Sequence, residues 1–397
     1  MLKNEKLYTA CKSQKETFIS LWEKLVNIDT GTGYGIGIEK MATIVENELK
    51  ALHADIEQVP VNNYEGGHHI VGRFHGHGEG SVLIMAHMDT VFPEGTASKR
   101  PFKIVNDWAY GPGVSDCKGS IVLILSAMKK LQEMNFDNFK QITCLFNCDE
   151  EMASFDSRDL IKKMAQEHDV TLCVESGQVG DGVVKWRKGS ATLQVEVTGV
   201  SSHAGSNPEK GHNALMELLH QINVMSSLGN PELLTTINFT KMQSGNKINV
   251  IPDYAVAFAD IRVVDTKEIN RIEKAVKASS VVTKVKGTHV DITLIRDNPP
   301  FPQNKKTDLL IQVAQNIYKE IDHQLIAIGA GGASDANWAA STGAIVVDGF
   351  GPVKGGKNHT ERECTKVSSI VPRMYLLTRM LMEIGIRNYG CERKLLI

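Results

Sequence analysis

No apolar run in this sequence approaches the roughly 20 residues that a helix needs to cross a bilayer; the longest, such as IVLIL at 121 to 125, fall far short. The opening stretch MLKNEKLYTACKSQKETF is charged and polar throughout, without the apolar segment of a secretory signal. Charge of one sign is never concentrated either. Lys+Arg of 44 against Asp+Glu of 46 leaves a formal charge of -2, so neither nucleic acid nor a membrane surface is an expected partner. The seven cysteines form no CxxC pair, which argues against a disulfide scaffold and for buried thiols. The Asn-x-Thr triplets at Asn238 and Asn358 would matter only in a secreted chain. Internal repeats and low-complexity tracts are missing too. These absences leave a soluble, cytoplasmic protein as the expectation.

What is present is an ordinary globular composition, 42% hydrophobic over 397 residues, enough for two or three domains. From about 16 to 180, apolar β-type runs alternate with helical patterns: a helix over 38–51, the strand SVLIMAHM, the helix SIVLILSAMKKLQEM, the strand QITCLFNC, then TLCVES. This predicts an α/β unit with a mostly parallel sheet. Between 189 and 300 the order changes to β-α-β-β-α-β, the ferredoxin-like pattern, with helices from Asn213 to about Leu228 and over TKEINRIEKAVKAS. After RDNPPFPQN the helix–strand alternation resumes. The predicted division is therefore a catalytic domain in two parts, 1–188 and 301–397, interrupted by an inserted domain at 189–300.

The stretch NCDEEM, residues 147–152, closes the run QITCLF with three adjacent carboxylates, Asp149, Glu150 and Glu151. Such a cluster is tolerable on a solvated turn or beside a cation. Nearby runs also end in polar groups. His87 and Asp89 are two apart in HMD, on one face of a strand, where a carboxylate can orient a metal-bound imidazole; a purely structural pair would look the same. Asp116 lies in the Gly-rich loop GPGVSDCKGS, where it would equally suit a helix cap. Glu175 ends CVES, and His359 sits in GGKNHTERE. Together these groups have the chemistry for two divalent ions that accept nitrogen and oxygen, and one carboxylate can bridge a pair of ions. Spacing alone does not establish that. GTGYGIG at 31–37 does not fit GxGxxG and reads as a mobile connection. HHIVGRFHGHG at 68 to 78 reads as a strand and exposed turn.

The ordered set HMDTV, GVSDCKGS, NCDEE, VESG, SSHAG, SGNKINVIP, ADIR, GGASDANWAA and NHTE resembles the zinc-dependent exopeptidase and deacylase family of glutamate carboxypeptidase, acetylornithine deacetylase and succinyl-diaminopimelate desuccinylase. The resemblance covers nearly the whole chain. EEMASFDSRDLI, SSHAGSNPEKGHNAL and the ADIR stretch bring it nearest the bacterial glutamate carboxypeptidase branch. It implies two Zn2+ per subunit, with Co2+ or Mn2+ as substitutes. Asp116 would bridge them, His87 and Glu175 would complete one site, and Glu151 with His359 the other. Asp89 would orient His87, a cis peptide would follow Asp116, and Glu150 would be the general base. Strand alternation would let Glu150 and Glu151 point apart.

The resemblance further implies a homodimer through the inserted domain. From there His203 would reach the substrate carbonyl of the partner's site, and Asn249 and Arg262 would bind the substrate's terminal carboxylate. As residues alone, His203 could be structural and Arg262 a charged neighbour of Asp260. Residues 331–340 would line the pocket, with Asp335 equally a possible helix cap. The implied substrate is a small peptide or N-acyl amino acid, cut beside a free carboxylate. An N-acyl amino acid deacylase, an aminopeptidase or dipeptidase, and a non-catalytic metal-binding scaffold are the alternatives. Glu175, where related aminopeptidases often have Asp, favours the carboxypeptidase or deacylase.

Overall fold

The computed structural model describes residues 3–62, 67–279 and 282–387. Cys391 lies outside them; the other six cysteines are buried and stand outside any disulfide. Among the described residues no helix is long and apolar enough to cross a membrane. The chain divides into two compact units, Met1–Lys185 with Gln303–Gly329 and Ser334–Ile397, and Trp186–Pro302 with Ala330–Ala333.

The first unit is built on an eight-stranded sheet in the order Asp55–Pro60, His68–His75, Gln141–Asn147, Ser81–His87, Val170–Cys173, Ile345–Asp348, Gly182–Arg187, Ile326–Ala330. Its four central strands, Gln141–Asn147 to Ile345–Asp348, pair in parallel. Antiparallel strands flank them on both sides. The centre reads as unbroken apolar runs because it is covered on both faces, and every residue of Ser81–His87 is buried. Helices Lys118–Glu133 and Ile370–Ile386 pack on each other and on that strand, while Lys305–Lys319 packs on Ile345–Asp348.

Register explains why one end of this sheet is polar. His87 is level with Asn147, Met85 with Cys173, and Cys173 with Asp348. Four parallel strands thus finish together, and the segments beyond their carboxyl ends deliver His87, Glu150 and Glu151, Glu175, and the loop to His359. This is the end at which open α/β sheets carry their sites.

The second unit has a four-stranded antiparallel sheet, ordered Thr236–Ser244, Tyr254–Val263, Gly189–Thr198, His289–Asn298. Burial along Gly189–Thr198 alternates, as expected of a sheet with one covered face. Leu193, Val195 and Val197 form a core there with Leu218 of helix Ala214–Ser226 and Ile272 of helix Thr266–Ser279. Asn213 caps the first helix, its side chain accepting the Met216 N–H at 3.2 Å.

Two local expectations change and a third is met. GTGYGIG is no loose connection: Gly31 bridges Thr90, and helix Gly35–Ala51 already includes its last three residues. Gly31 and Gly37 serve close approach, since a Cβ would meet Phe92 O at 2.5 Å at the first and the Asp29 carbonyl at the second, while Gly33 takes a positive φ of 83°. The HHIVGRFH strand and the exposed turn after it form as expected, with His68 and His69 9% and 1% exposed and His68 in contact with Glu39 and Glu46. Glu150–Met152 is a 3-10 turn, so strand alternation is not what separates the two glutamates.

Candidate metal centre

Asp116 presents one carboxylate oxygen to each of two histidines. Oδ1 lies 3.1 Å from His87 Nε2, and Oδ2 lies 3.1 Å from His359 Nε2. Glu175 Oε1 is 3.5 Å from the same His87 nitrogen, and Glu151 Oε2 is 3.1 Å from the same His359 nitrogen. The result is two donor clusters joined by one carboxylate.

Each position has a local cause. His87 Nδ1 donates to the Asp89 backbone carbonyl at 3.0 Å, with the Asp89 carboxylate 3.4 Å away; that fixes the ring and aims Nε2 at Asp116. Asp116 sits between a cis peptide to Cys117 and a loop held at Val114 O by Trp22 Nε1 and Thr365 Oγ1, at 3.1 and 3.2 Å. Trp22 is itself wedged edge-on between Phe18 and Phe102. Asn358 Nδ2 donates to Asp116 Oδ2 at 2.8 Å.

The acidic stretch divides cleanly. Glu151 joins Asp116 and His359 in one potential three-donor group, whereas Glu150 falls only in a group with His87 and Glu151. The Asp89 carboxylate accepts the backbone N–H groups of both, and Thr32 Oγ1 as well. Asp149 is 2% exposed and takes no part in the clusters: it accepts from Asp156 N, Ser157 N and Ser157 Oγ, tying down the start of helix Arg158–Glu167. Asp335 accepts from Ser154 and Asn147; the cap of its helix is Ser334. Thr32, Asn358 and Glu363, which supports Asp116 from behind, are functional-site neighbours that the sequence did not single out. NHTERE at least contains the last two.

The electrostatics describe a site short of positive charge. Burial disfavours a charged ring at His87, but Cys117, Glu175, Asp116 and Asp89 outweigh it and hold its pKa well above the ordinary value. Hydrogen bonds to Asp116 and Glu151 lift His359 to about 10. Burial opposes ionisation of Asp116, yet His359 and His87 keep it well below the usual carboxylate range. Burial pushes Glu150 well up, with Glu175, Glu151 and Asp335 adding to it against His87. Burial also raises Glu151, and takes Asp335 and Glu363 up to about 7. These shifts share one cause, carboxylates and imidazoles gathered out of water within reach of one another.

The donor set fits divalent metal. Imidazole nitrogen with carboxylate oxygen suits zinc, cobalt and manganese, and Glu151 Oε1 is buried with no hydrogen-bond partner among the described residues. Cys117 also lies within reach of His87 and Glu175. Burial pushes its thiol far up, and its contacts run to the main chain of His87, so the carboxylates are the better donors.

In the second unit, His203 and Asn249 come together: Ser202–His203 pairs with Val250–Ile251, and Ala204 N donates to Asn249 O at 2.9 Å. His203 is exposed, and its Nδ1 accepts the N–H groups of Gly205 and Ser206 at 3.1 and 2.9 Å. In the neutral ring the proton therefore resides on Nε2. Arg262 is engaged by Asp260, which takes Nε at 3.1 Å and Nη2 at 3.0 Å.

A parallel-centred α/β sheet here gathers imidazoles and carboxylates beyond its strand ends, a donor set that suits divalent metal. Comparison with known proteins gives the family. The model of Peptidase family M20/M25/M40 matches residues 83–383, and the chain belongs to that family of metallopeptidases and carboxypeptidases with deacylase relatives. It is 34% identical to carboxypeptidase G2 of Pseudomonas sp. (strain RS-16) over 96% of this chain and 92% of that one. Identity to acetylornithine deacetylase of Vibrio parahaemolyticus is 30%, over 53% of this chain and 55% of the relative. The fold is similar to that of a Staphylococcus aureus tripeptidase, with a TM-score of 0.80 at 20% identity, covering 94% of this chain and 99% of that one.

Proposed function

We propose that this protein is a two-zinc exopeptidase that hydrolyses an amide bond beside a free carboxylate, releasing a C-terminal amino acid such as glutamate. The observation that carries this reading is Asp116, with one oxygen toward His87 and the other toward His359. His87, Asp116 and Glu175 would hold one cation, and Asp116, Glu151 and His359 the other. Bound there, two divalent cations would polarise a scissile carbonyl and acidify a water.

The remaining work falls to the chain's own groups. Glu150 would take a proton from the attacking water and return it to the departing amine nitrogen. Asp89 would hold His87 and the glutamate turn in register with each other. His203 would donate Nε2–H to the substrate carbonyl, from the partner subunit of a homodimer. Asn249 and Arg262 would bind the terminal carboxylate; with Asp260 on the Nε side of the guanidinium, the Nη1 end is the one left to the substrate. Six buried cysteines outside any disulfide among the described residues support a reducing, cytoplasmic setting.

The test is a panel of folate-type acyl-glutamates, N-acetyl amino acids and plain dipeptides, each with its C-terminal carboxylate free or blocked, offered to the zinc-loaded protein. Cleavage of acyl-glutamates that is lost on blocking is the expected result; equal cleavage of blocked substrates would overturn the carboxylate reading. The acetylornithine deacetylase relative favours a second reading, an N-acyl amino acid deacylase, which would show as preference for the acetylated set. Two bound metals with no hydrolysis across the panel would make the protein a scaffold.

A further inference from the structure

The segment Asn358 to Glu363 grips Asp116 from two directions. Asn358 Nδ2 and His359 Nε2 meet the carboxylate at Oδ2, at 2.8 and 3.1 Å. From the other side Glu363 Oε1 accepts the backbone N–H groups of Ser115 and Asp116 at 2.8 and 3.0 Å. Glu363 is 1% exposed, and its Oε2 is buried with no partner among the described residues. A buried carboxylate is costly. Charge-assisted bonds to two consecutive amides are a strong compensation, and they act on the residue whose placement decides both donor clusters.

The handle is itself fixed. The next residue begins the strand Cys364–Lys366, which pairs with Trp108–Tyr110, Glu363 N donates to Thr360 O at 3.1 Å, and Gly355 N donates to Cys364 O at 2.8 Å. A displacement of Glu363 would carry the Asp116 backbone with it and swing both carboxylate oxygens away from His87 and His359 together.

We propose that Glu363 is the positioning residue of the bridging aspartate and sets the metal affinity of both sites at once. This rests on the two-metal reading above. The acceptor oxygen at the right reach is what matters, so Glu363→Gln keeps the function, whereas Glu363→Asp keeps the charge but falls a methylene short.

The experiment titrates full-length, metal-free wild type, Glu363→Ala, Glu363→Asp and Glu363→Gln with Zn2+ against a competing chelator, and follows Co2+ absorption in parallel. Melting of each metal-free form is recorded alongside. Expected are losses of about tenfold or more in affinity for both cations in the Ala and Asp variants, the range for groups that support metal ligands, with Gln within about threefold of wild type. Wild-type affinity in the Asp variant would overturn the proposal, as would a fall in metal-free melting temperature in all three with affinities unchanged. If the Ala variant fails to fold, the Asp variant gives the same reading. A wild type that takes up fewer than two cations would refute the two-metal function instead, and the comparison of wild type with Glu363→Asp would still judge Glu363.

Discussion

Asp89 Oδ2 accepts the backbone N–H of Glu151 at 3.1 Å. With the Glu150 N–H on Oδ1 at 3.2 Å and the His87 imidazole on its main-chain carbonyl at 3.0 Å, a single residue ties the end of one parallel strand to the turn that follows its neighbour. Asp89→Ala is expected to lower kcat/KM and zinc affinity by about 10–100-fold, the usual cost of losing such support. Asp89→Asn, which keeps one acceptor oxygen, should lose less. Steady-state kinetics and metal titration check both; wild-type values in Asp89→Ala would contradict the assignment.

The two glutamates should separate under mutation. Glu150→Gln is expected to reduce kcat by about 10²–10⁴-fold, the contribution typical of a general base, while metal content stays near that of wild type. Glu151→Gln removes a group that contacts His359 at 3.1 Å and should lose metal. Elemental analysis beside kinetics distinguishes them, and equal metal loss in both variants would refute the division.

Metal uptake should release protons. His359 is lifted to about 10 by Asp116 and Glu151, so near neutral pH its ring is charged and a cation must displace the proton. Zinc affinity is expected to rise with pH toward about 10. Without metal the sign reverses for the fold: a raised pKa stabilises fully below the unfolded histidine value near ~6.5, and that stability is lost as pH rises through about 10. Calorimetry in buffers of different ionisation enthalpy reads the protons, and pH-independent zinc binding would count against this account.

If His203 serves the partner's site, two inactive variants should rescue each other. In a mixture of Glu150→Gln and His203→Ala, reassociated at random, half the dimers are mixed and each has one intact site, giving about a quarter of wild-type activity. No recovery, in a mixture shown to exchange subunits, would place His203 in its own subunit's site.

Much of the frame was legible because its signals are local. The central strands are buried on both faces and read as unbroken apolar runs, and the helix over Thr266–Ser279 matches the predicted TKEINRIEKAVKAS. Antiparallel flanks were not legible, since strand direction is set by connections and not by composition. His68 and His69 open the strand that HHIVGRFH predicts, but nothing in that run shows that Glu39 and Glu46 from helix Gly35–Ala51 reach His68. Thr32, Asn358 and Glu363 escaped for the same reason. A side chain that holds a distant backbone N–H or carboxylate leaves no periodicity, and Glu363 meets Ser115 across 248 positions of chain. The residues predicted as ligands do come together, and HMD pointed to Asp89 behind His87; the more distant supports were not readable.

The strand Ile345–Asp348 lies between Val170–Cys173 and Gly182–Arg187 in the sheet, although nearly the whole chain precedes it. A ribosome therefore exposes both neighbours long before the piece that joins them, and His359 follows later still. Pairings so far apart in sequence form late. Chains stalled before Ile345 are therefore expected to be protease-sensitive and to lack a complete pair of donor clusters, because both the joining strand and His359 have yet to arrive.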